Sequence, residues 1–462
     1  MGGIQEFEPL YDEVVTCGKC GFCQPTCPVY RATGRENHVA RGKNALFRNL
    51  FEGETIMAPD LEDAFSNCLL CRACTENCFT AVRTDHMVIA YREAYGQRFG
   101  RSTIQRAVFR GLLPRPRLMA RLVKSTWALR RIGLADVLRR WGLVRLLNPK
   151  LDRALELKLG TPGKLLRERL KDRPSVMGRD TRRAATGSSS PGPAGSSSPG
   201  PGGSSTPDSP AGQTLRVGYW ISCGYNFVLP EVGEATVRVL ERLGATVEVL
   251  DNCCCGLAVY GYGDREGARR LARANIDRLG DLDRFDAIVS ECGSCSGHLK
   301  EYPELLAEDP VYAAKADRLR KKVRSFSEFV VEAGGAALLA EGRLDGVVTY
   351  HESCHMGNRY QGVVDQPRLL LRSVPGVTFR ELTEANSCCG SAGTYGVLHP
   401  ETGAAIIGRK MGFVKQTGAT ILAAECPSCM LQLDFGARRA GLDVSVLNMS
   451  QVCDRALAGS SV

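Results

Sequence analysis

The sequence lacks any apolar run near the roughly 18 residues that a membrane-spanning helix requires. Its first residues also lack the basic stretch and apolar core of a secretion signal. No strand-like segment leads into a G-x-G-x-x-G loop, so the common dinucleotide fingerprint is missing. We therefore expect a cytoplasmic chain that holds neither a flavin nor a nicotinamide cofactor of its own.

The net charge of +10 is distributed unevenly along the 462 residues. Residues 101–150 carry eleven Arg and two Lys against a single acid, Asp136, so the positive excess belongs to this segment. No nucleic-acid-binding motif accompanies the charge, and we expect no nucleic-acid partner.

An amphipathic helix is predicted inside the basic segment, where apolar residues recur at helical spacing among arginines: Leu134, Val137, Leu138, Trp141 and Val144. Such a helix could lie on an anionic membrane surface. It could equally pack on a neighbouring domain or a partner and leave its basic face in solvent.

Cysteine is abundant, with twenty residues in the chain. Because a reducing compartment keeps thiols free, we do not expect disulfides in a chain without a secretion signal. Metal ligation is then the expected role, and the spacing of the cysteines must indicate the metal.

Two short runs each place four cysteines at C-x2-C-x2-C-x3-C spacing. The first run holds Cys17, Cys20, Cys23 and Cys27, and the second holds Cys68, Cys71, Cys74 and Cys78. In two-cluster ferredoxins with this spacing, three cysteines of a run bind one [4Fe–4S] cubane and the fourth binds the other. We predict one cubane, cluster I, on Cys17, Cys20, Cys23 and Cys78. We predict the other, cluster II, on Cys68, Cys71, Cys74 and Cys27.

Structural zinc is the alternative reading of these runs. Zinc sites use two pairs of ligands separated by a loop, so two tight groups of four cysteines favour iron. Phe79 follows the second run where a proline is usual, and we expect altered packing there with all four ligands kept. Helix-forming stretches at 42–51 and 60–67 predict an α-helical form of the dicluster fold.

From residue 215 onward, strand-length apolar runs alternate with helical stretches, which predicts βαβ units around parallel strands. The predicted strands are 215–221, 246–250, 287–290, 347–350 and 419–424. The region also repeats, because CCG and ECGSC at 254–256 and 291–295 return as CCG and ECPSC at 388–390 and 425–429. We therefore expect a duplicated α/β unit.

Each half of this region contains five patterned cysteines. The first cysteine set is Cys223, Cys254, Cys255, Cys292 and Cys295. The second cysteine set is Cys354, Cys388, Cys389, Cys426 and Cys429. Loops that follow parallel strands meet at one edge of the sheet, so each set is expected to converge there. Five thiolates suit iron–sulfur chemistry. The alternative is that some of these cysteines bind no metal and have only a structural role.

Four other residues of this region need an interpretation. Cys253 and Cys453 fit no motif and are expected to be bystanders. His351 and His355 flank Cys354, but the segment reads as strand and turn, so the two rings need not share a face. We do not favour either histidine as a metal ligand.

The layout resembles the cysteine-rich (CCG) family of iron–sulfur oxidoreductases. That family includes heterodisulfide reductase subunits and the iron–sulfur subunits of glycolate, lactate and anaerobic glycerol-3-phosphate dehydrogenases. Three strings look most like the glycolate oxidase iron–sulfur subunit: CCGSAGTY at 388–395, CGFCQPTCPVY at 20–30 and KEYPELLAEDPVYAAKA at 300–316.

The resemblance implies a function as well as cofactors. Beside two [4Fe–4S] cubanes, it implies one or two non-cubane [4Fe–4S] clusters at the CCG motifs. The chain would be the iron–sulfur subunit of an oxidoreductase complex, without a catalytic side chain and inactive alone. It would pass electrons from an FAD-containing dehydrogenase, which acts on glycolate or lactate, to a quinone or another acceptor. The chain could also attach peripherally to the inner face of the cell membrane.

One departure from the family keeps a second function open. Glycolate oxidase subunits often have degenerate cysteines in these motifs, whereas both sets are complete here. The alternative is a catalytic subunit, like that of heterodisulfide reductase, that reduces a disulfide at non-cubane clusters.

Together these observations predict an α+β multidomain protein, with a helical dicluster ferredoxin-like domain followed by a duplicated α/β cysteine-rich region with parallel sheets. The predicted parts are a two-cluster domain at 1–100, a basic amphipathic helical segment at 101–183, a disordered Ser/Pro/Gly linker at 184–212, a first CCG domain at 213–335 and a second at 336–462. The linker prediction rests on the absence of apolar residues that could offset the entropy of ordering.

Overall fold

The computed structural model describes residues 8–131, 162–171, 173, 215–357 and 361–459. The predicted Ser/Pro/Gly linker at 184–212 lies outside these ranges, and so does the predicted amphipathic helix around Leu134–Val144. The domain limits stay predictions.

The N-terminal part is helical. Its helices are α1 (Glu8–Val15), α2 (Cys23–Thr26), α3 (Pro28–Thr33), a 3-10 turn (Glu36–His38), α4 (Ala40–Phe51), α5 (Pro59–Ser66), α6 (Ala73–Glu76), α7 (Thr84–Arg98) and α8 (Thr103–Arg106). The core between α4, α5 and α7 contains Phe47, Phe65, Met87 and Tyr91, and the rings of Phe65 and Tyr91 stack at 3.8 Å. Two of these helices, α4 and α5, correspond to the stretches predicted from the sequence.

Three helical segments connect this part to the α/β region. They are a π-helix at Ala107–Leu112, α9 (Pro116–Arg131) and α10 (Leu166–Lys171). Leu166 of α10 is fully buried in the core of the first α/β repeat. A Cβ on Gly233 would come within 2.1 Å of the Leu166 side chain, so glycine is needed for this close approach.

The first repeat is built on a four-stranded parallel sheet of order β2-β1-β3-β4. Its strands are β1 (Arg216–Tyr219), β2 (Thr246–Val249), β3 (Ala287–Ser290) and β4 (Val323–Ser325). Its helices are α11 (Cys223–Phe227), α12 (Pro230–Arg242), α13 (Leu257–Gly261), α14 (Arg265–Leu279), α15 (Gly293–Lys300), α16 (Tyr302–Leu305), α17 (Pro310–Lys322), α18 (Phe326–Glu332) and α19 (Gly335–Ala340).

The second repeat has the same topology, with strand order β6-β5-β7-β8. Its strands are β5 (Gly346–Tyr350), β6 (Val377–Phe379), β7 (Ile421–Ala424) and β8 (Ser445–Asn448). Its helices are α20 (Asp365–Ser373), α21 (Tyr395–Leu398), α22 (Pro400–Thr417), α23 (Pro427–Arg439) and α24 (Met449–Ala458). The duplicated α/β unit with parallel sheets is therefore confirmed.

The sequence analysis predicted five of these eight strands and missed β4, β6 and β8. The three missed strands are short edge or near-edge segments, with exposed or polar residues such as Arg324 and Thr378 between apolar ones. Such segments lack the continuous apolar run by which the buried central strands are recognised.

The two repeats pack against each other through α12 and α24. The Arg238 guanidinium donates to both carboxylate oxygens of Asp454, with Nε–Oδ1 at 2.9 Å and Nη2–Oδ2 at 2.5 Å. The buried amide of Asn448 donates to the Tyr225 hydroxyl at 2.8 Å. These contacts fix one repeat relative to the other.

Candidate metal centres

The two cysteine runs of the helical part have the same backbone shape. Lys19 and Gly21 of the first run have positive φ angles of 52° and 88°, and Leu70 and Arg72 of the second have 54° and 58°. A left-handed residue between successive cysteines coils the loop tightly, and non-glycine residues adopt that conformation only where the surroundings hold it. The repeated strain indicates that both loops are shaped to bring their sulfurs together.

The fourth cysteine of the first run lies with the second run. Cys27 caps α3, where the Tyr30 N–H donates to its Sγ at 3.5 Å, and its thiol neighbours that of Cys68. Cys74 also neighbours Cys68 and Cys27. Burial raises the pKa of the Cys74 thiol, and the adjacent cysteines raise it further. This proximity is compatible with the ligand crossover predicted for cluster II, which stays a prediction.

A buried lysine lies beside this group. Lys43 of α4 has only 2% of its surface exposed and donates to the carbonyl oxygen of His38. Burial lowers its pKa, and the nearby thiols of Cys68, Cys27 and Cys74 oppose that shift. Sequence reasoning missed Lys43, because a lysine in an amphipathic helix normally faces solvent.

The predicted cluster I cysteines lie nearer the surface. Cys20 is exposed, and Cys17, Cys23 and Cys78 are partly exposed. Phe79, which replaces the usual proline, is 81% exposed, and its ring meets that of Phe22 edge to face at 4.9 Å. The substitution therefore places an aromatic pair at the surface and leaves Cys78 in the run.

Both cysteine sets of the α/β region lie at the carboxyl edges of the sheets. In the first repeat, Cys223 follows β1, Cys254 and Cys255 follow β2, and Cys292 follows β3. The glycine of each CCG motif is left-handed, with φ of 97° at Gly256. The second repeat places its five cysteines on the equivalent loops, with φ of 83° at Gly390. Ligands of parallel α/β sheets bind at this edge.

The ten thiols form one continuous line across both repeats. Each thiol contacts the next in the order Cys223, Cys254, Cys255, Cys295, Cys292, Cys426, Cys429, Cys389, Cys388 and Cys354. The two sets meet at Cys292 and Cys426. Thiol contacts with Cys388 and Cys429 lower the pKa of Cys389 to about 5, which favours its thiolate.

The helical part joins this line at its second-repeat end. Cys71 belongs to one apolar cluster with Cys354 and Cys388. Next to it, the Tyr395 hydroxyl donates to Asn67 Oδ1 at 2.9 Å in a buried contact. The structure thus places the predicted cluster II cysteines against the second set.

The two sets differ in exposure. All five cysteines of the second set are buried, whereas Cys223 and Cys254 of the first set are partly exposed. These two thiols line a small open cleft, together with Met119 of α9 and Phe227 of α11.

Two buried aromatic side chains show whether the cysteine sets fit a metal cluster. Trp220 and His351 are fully buried, and neither the indole Nε1 nor either imidazole nitrogen has a hydrogen-bond partner within the described residues. The His351 ring lies beside Cys389 and Cys429, with one ring nitrogen and both Sγ atoms within 4.8 Å of one another. Buried polar groups are nearly always hydrogen-bonded, so groups without a protein partner indicate that a bound ion or cofactor supplies one. The sets therefore fit a cluster whose sulfurs accept these N–H groups.

The histidines around Cys354 contact different sulfurs. His351 reaches Cys389 and Cys429, whereas His355 Nδ1 lies 3.8 Å from Cys354 Sγ and 3.1 Å from the Ser294 hydroxyl. Ser294 belongs to the first repeat and also lies 3.3 Å from Cys426 Sγ. Sequence analysis did not single out Trp220, which lies outside the motifs, or Ser294, which lies inside the ECGSC string but is not a cysteine.

The two cysteines outside the motifs lie apart from this line. The Cys253 thiol donates to Asn275 Oδ1 at 3.3 Å, and Cys453 is buried in the apolar core beneath α24. Lys410 of α22 is a further residue that sequence reasoning missed. Burial lowers its pKa to about 8, which the nearby Cys389, Cys388 and Cys429 oppose.

Comparison with family models matches three parts of the chain. The cysteine-rich domain matches residues 217–300 and 348–434. The 4Fe-4S dicluster domain matches residues 13–82, and the linker region of the glycolate oxidase iron-sulfur subunit matches residues 100–157.

Similar proteins cover either the whole chain or about half of it. The probable glycolate oxidase iron-sulfur subunit of Bacillus subtilis (strain 168) is 30% identical over 450 residues, which are 96% of this chain and 93% of that protein. Lactate utilization protein A 1 of Bacillus cereus (strain AH820) is 32% identical over 240 residues, 52% of this chain and 98% of that protein. Lactate utilization protein A of Oceanobacillus iheyensis is 34% identical over 239 residues, 52% of this chain and 96% of that protein.

Among the described residues, no helix combines the length and the apolar character needed to cross a membrane.

Proposed function

Because the chain belongs to the family of glycolate oxidase iron–sulfur subunits, we propose that it carries electrons. We propose further that it does so in a complex that oxidises a 2-hydroxy acid, either glycolate or lactate. The observation that supports this most is the continuous line of ten thiols that begins beside Cys71 and ends at the cleft by Cys223. Electron tunnelling slows steeply with distance, so closely spaced sites suit a conduit better than isolated ones do.

We propose four clusters along this path. The two runs would hold cubanes I and II, and the first and second cysteine sets would each hold a non-cubane [4Fe–4S] cluster. Iron–sulfur clusters supply reversible one-electron transfer over a wide range of potentials. The cysteine side chains would hold the clusters, and the burial of the second set excludes water from it. Lys43 and Lys410 are buried cations beside the negatively charged thiolates.

The oxidation itself would take place on a partner. We propose an FAD-containing dehydrogenase subunit, because this chain carries no dinucleotide fingerprint in its sequence. The surface cysteines of cluster I would face one redox partner. The partly exposed edge at Cys223 and Cys254 would face the acceptor, a quinone or another molecule, at a cytoplasmic or peripheral membrane location.

Iron analysis with matched variants tests the proposal. The full chain should contain more than about eight irons, since two cubanes account for eight. Cys429→Ala should lower the iron content by about four, whereas Cys453→Ala, which removes a buried thiol outside the line, should leave it unchanged. Glycolate or lactate oxidation should require added flavoprotein, and activity of the purified chain alone would contradict the proposal.

A second candidate function is disulfide reduction at the first cysteine set. It is favoured by the partial exposure of Cys223 and Cys254, which line a small open cleft. Dithiol-dependent changes in the paramagnetic signal of the oxidised protein would support this reading. A signal that is indifferent to dithiols would support the conduit.

A further inference from the structure

Trp220 and His351 occupy the same position in the two repeats. Each is the residue that immediately follows the first strand of its sheet, β1 or β5. The backbone N–H of Trp220 donates to the carbonyl oxygen of Val289 at 2.9 Å, and that of His351 donates to Ala423 at 2.9 Å. Val289 and Ala423 lie on the equivalent strands β3 and β7, so the two side chains leave equivalent points of the fold.

Both side chains carry an aromatic N–H into a fully buried place. Trp220 and His351 are each 0% exposed, and their ring nitrogens have no hydrogen-bond partner within the described residues. A buried donor without an acceptor destabilises the folded protein, because the donor has lost its hydrogen bonds to water. Both repeats therefore have a buried N–H donor without a protein acceptor at the position after the first strand, although the residue is tryptophan in one and histidine in the other.

The cysteine sets supply the acceptor environment. The His351 ring lies against Cys389 and Cys429 of the second set. The equivalent cysteines of the first set are Cys255 and Cys295. They belong with Trp220 to one large buried core cluster, which also contains cysteines of the second set. Because Trp220 leaves the sheet at the position equivalent to His351, we expect its ring to lie on the corresponding side of the first set.

We propose that Trp220 and His351 are positioning residues that donate N–H hydrogen bonds to sulfur atoms of the cluster held by their own repeat. This inference rests on the proposed clusters at the two cysteine sets. A hydrogen bond to a cluster sulfur stabilises the reduced, more negative form, so each donor raises the reduction potential of its cluster. Tryptophan can only donate, which makes donation the property that the two residues share.

Paired substitutions separate donation from packing. His351→Leu removes the donor, and His351→Asn is similar in size but keeps an amide N–H. Trp220→Phe removes the indole donor and keeps an aromatic ring. The holo full-length chain of each variant would be titrated reductively while its paramagnetic signals are recorded, and its iron content would be measured in parallel.

The expected result is repeat-specific. His351→Leu should shift one signal to lower potential with iron content unchanged, and His351→Asn should restore much of the loss. Trp220→Phe should shift a different signal downward, so each variant serves as the control for the other repeat. Potentials that stay unmoved in both His351→Leu and Trp220→Phe, with iron retained, would overturn the inference.

Two further outcomes are distinguishable. A strong ¹⁵N hyperfine coupling from labelled histidine, with iron lost in both His351 variants, would make His351 a direct iron ligand and overturn the donor role. A parent protein with no more than about eight irons would instead remove the proposed clusters at the cysteine sets.

Discussion

The backbone N–H of Gly293 donates to the carbonyl oxygen of Glu425 at 2.7 Å, so the last cysteine pair of one repeat is tied to that of the other. Each of these residues adjoins the cysteine at which the two sets meet, Cys292 or Cys426. A Cβ on Gly293 would also come within 2.6 Å of the Met356 sulfur. The continuous line of thiols therefore depends on packing between the repeats.

A glycine at this interface should be intolerant of a side chain. A Cβ on Gly224 would come within 2.4 Å of the Pro427 ring, so Gly224→Ala forces the repeats apart and should cost about 2 kcal/mol of folding free energy. Gly408→Ala is the control, since a Cβ there meets nothing within 4 Å and alanine is the better helix former. Urea denaturation followed by circular dichroism measures both, and equal stability of the two variants would refute this account.

The ion pair between α12 and α24 should contribute modestly to stability. Arg238→Ala removes a bidentate contact to Asp454, and we expect a loss of about 1 kcal/mol that shrinks at high salt. Arg343→Ala removes an exposed, local pair with Asp345 and should change stability little. Thermal unfolding at low and high ionic strength distinguishes the two, and an unchanged midpoint for Arg238→Ala would contradict the prediction.

A half-buried carboxylate between the helical part and the first repeat should stabilise their contact over a wide pH range. Burial alone would raise the pKa of Glu301, but the nearby His298 imidazole and the charge of Arg72 hold it at about 2. The Arg72 Nη1–Glu301 Oε1 distance is 2.6 Å. Because this pKa lies below the unfolded value, the contribution is complete above about pH 4.3 and is lost only as the pH falls toward 2.

Glu301→Gln should therefore lower stability by about 2 kcal/mol, and by the same amount at pH 8 and at pH 5. Glu304→Gln is the matched control, because Glu304 is 56% exposed and pairs with Arg83 at the surface. Denaturation at both pH values provides the measurement. A loss that disappears between pH 8 and pH 5 would show that Glu301 titrates in that range and would contradict the low pKa.

The buried lysine of α4 should tune cluster II. Lys43→Met removes a cation beside Cys27, Cys68 and Cys74, which disfavours the more negative, reduced cluster. We expect its reduction potential to fall by on the order of tens of millivolts, with the iron content unchanged. Lys19→Met, at an exposed lysine of the first run, is the control. A redox titration in which both variants behave alike would rule out a specific effect of Lys43.

The local sequence predicts much of the fold. The central strands β1, β3, β5 and β7 are apolar runs flanked by helical stretches, and α4 and α5 correspond to the stretches predicted at 42–51 and 60–67. The edge strand β6 and the three-residue strand β4 gave no such signal, because their pairing is set by neighbours distant in sequence. The same limitation explains why Trp220 and Lys43 were missed, since the burial of both side chains depends on tertiary packing.

The sequence by itself determined which cysteines belong together in each run and each set, because ligand spacing within a loop is a local property of the chain. It also determined the duplication, through the repeated CCG and E-C-x-S-C strings. Only the tertiary structure decided that Cys292 meets Cys426, that Cys71 lies with Cys388, and that His351 reaches Cys389. These contacts join residues from different elements, and they follow from the close packing of helices and sheets.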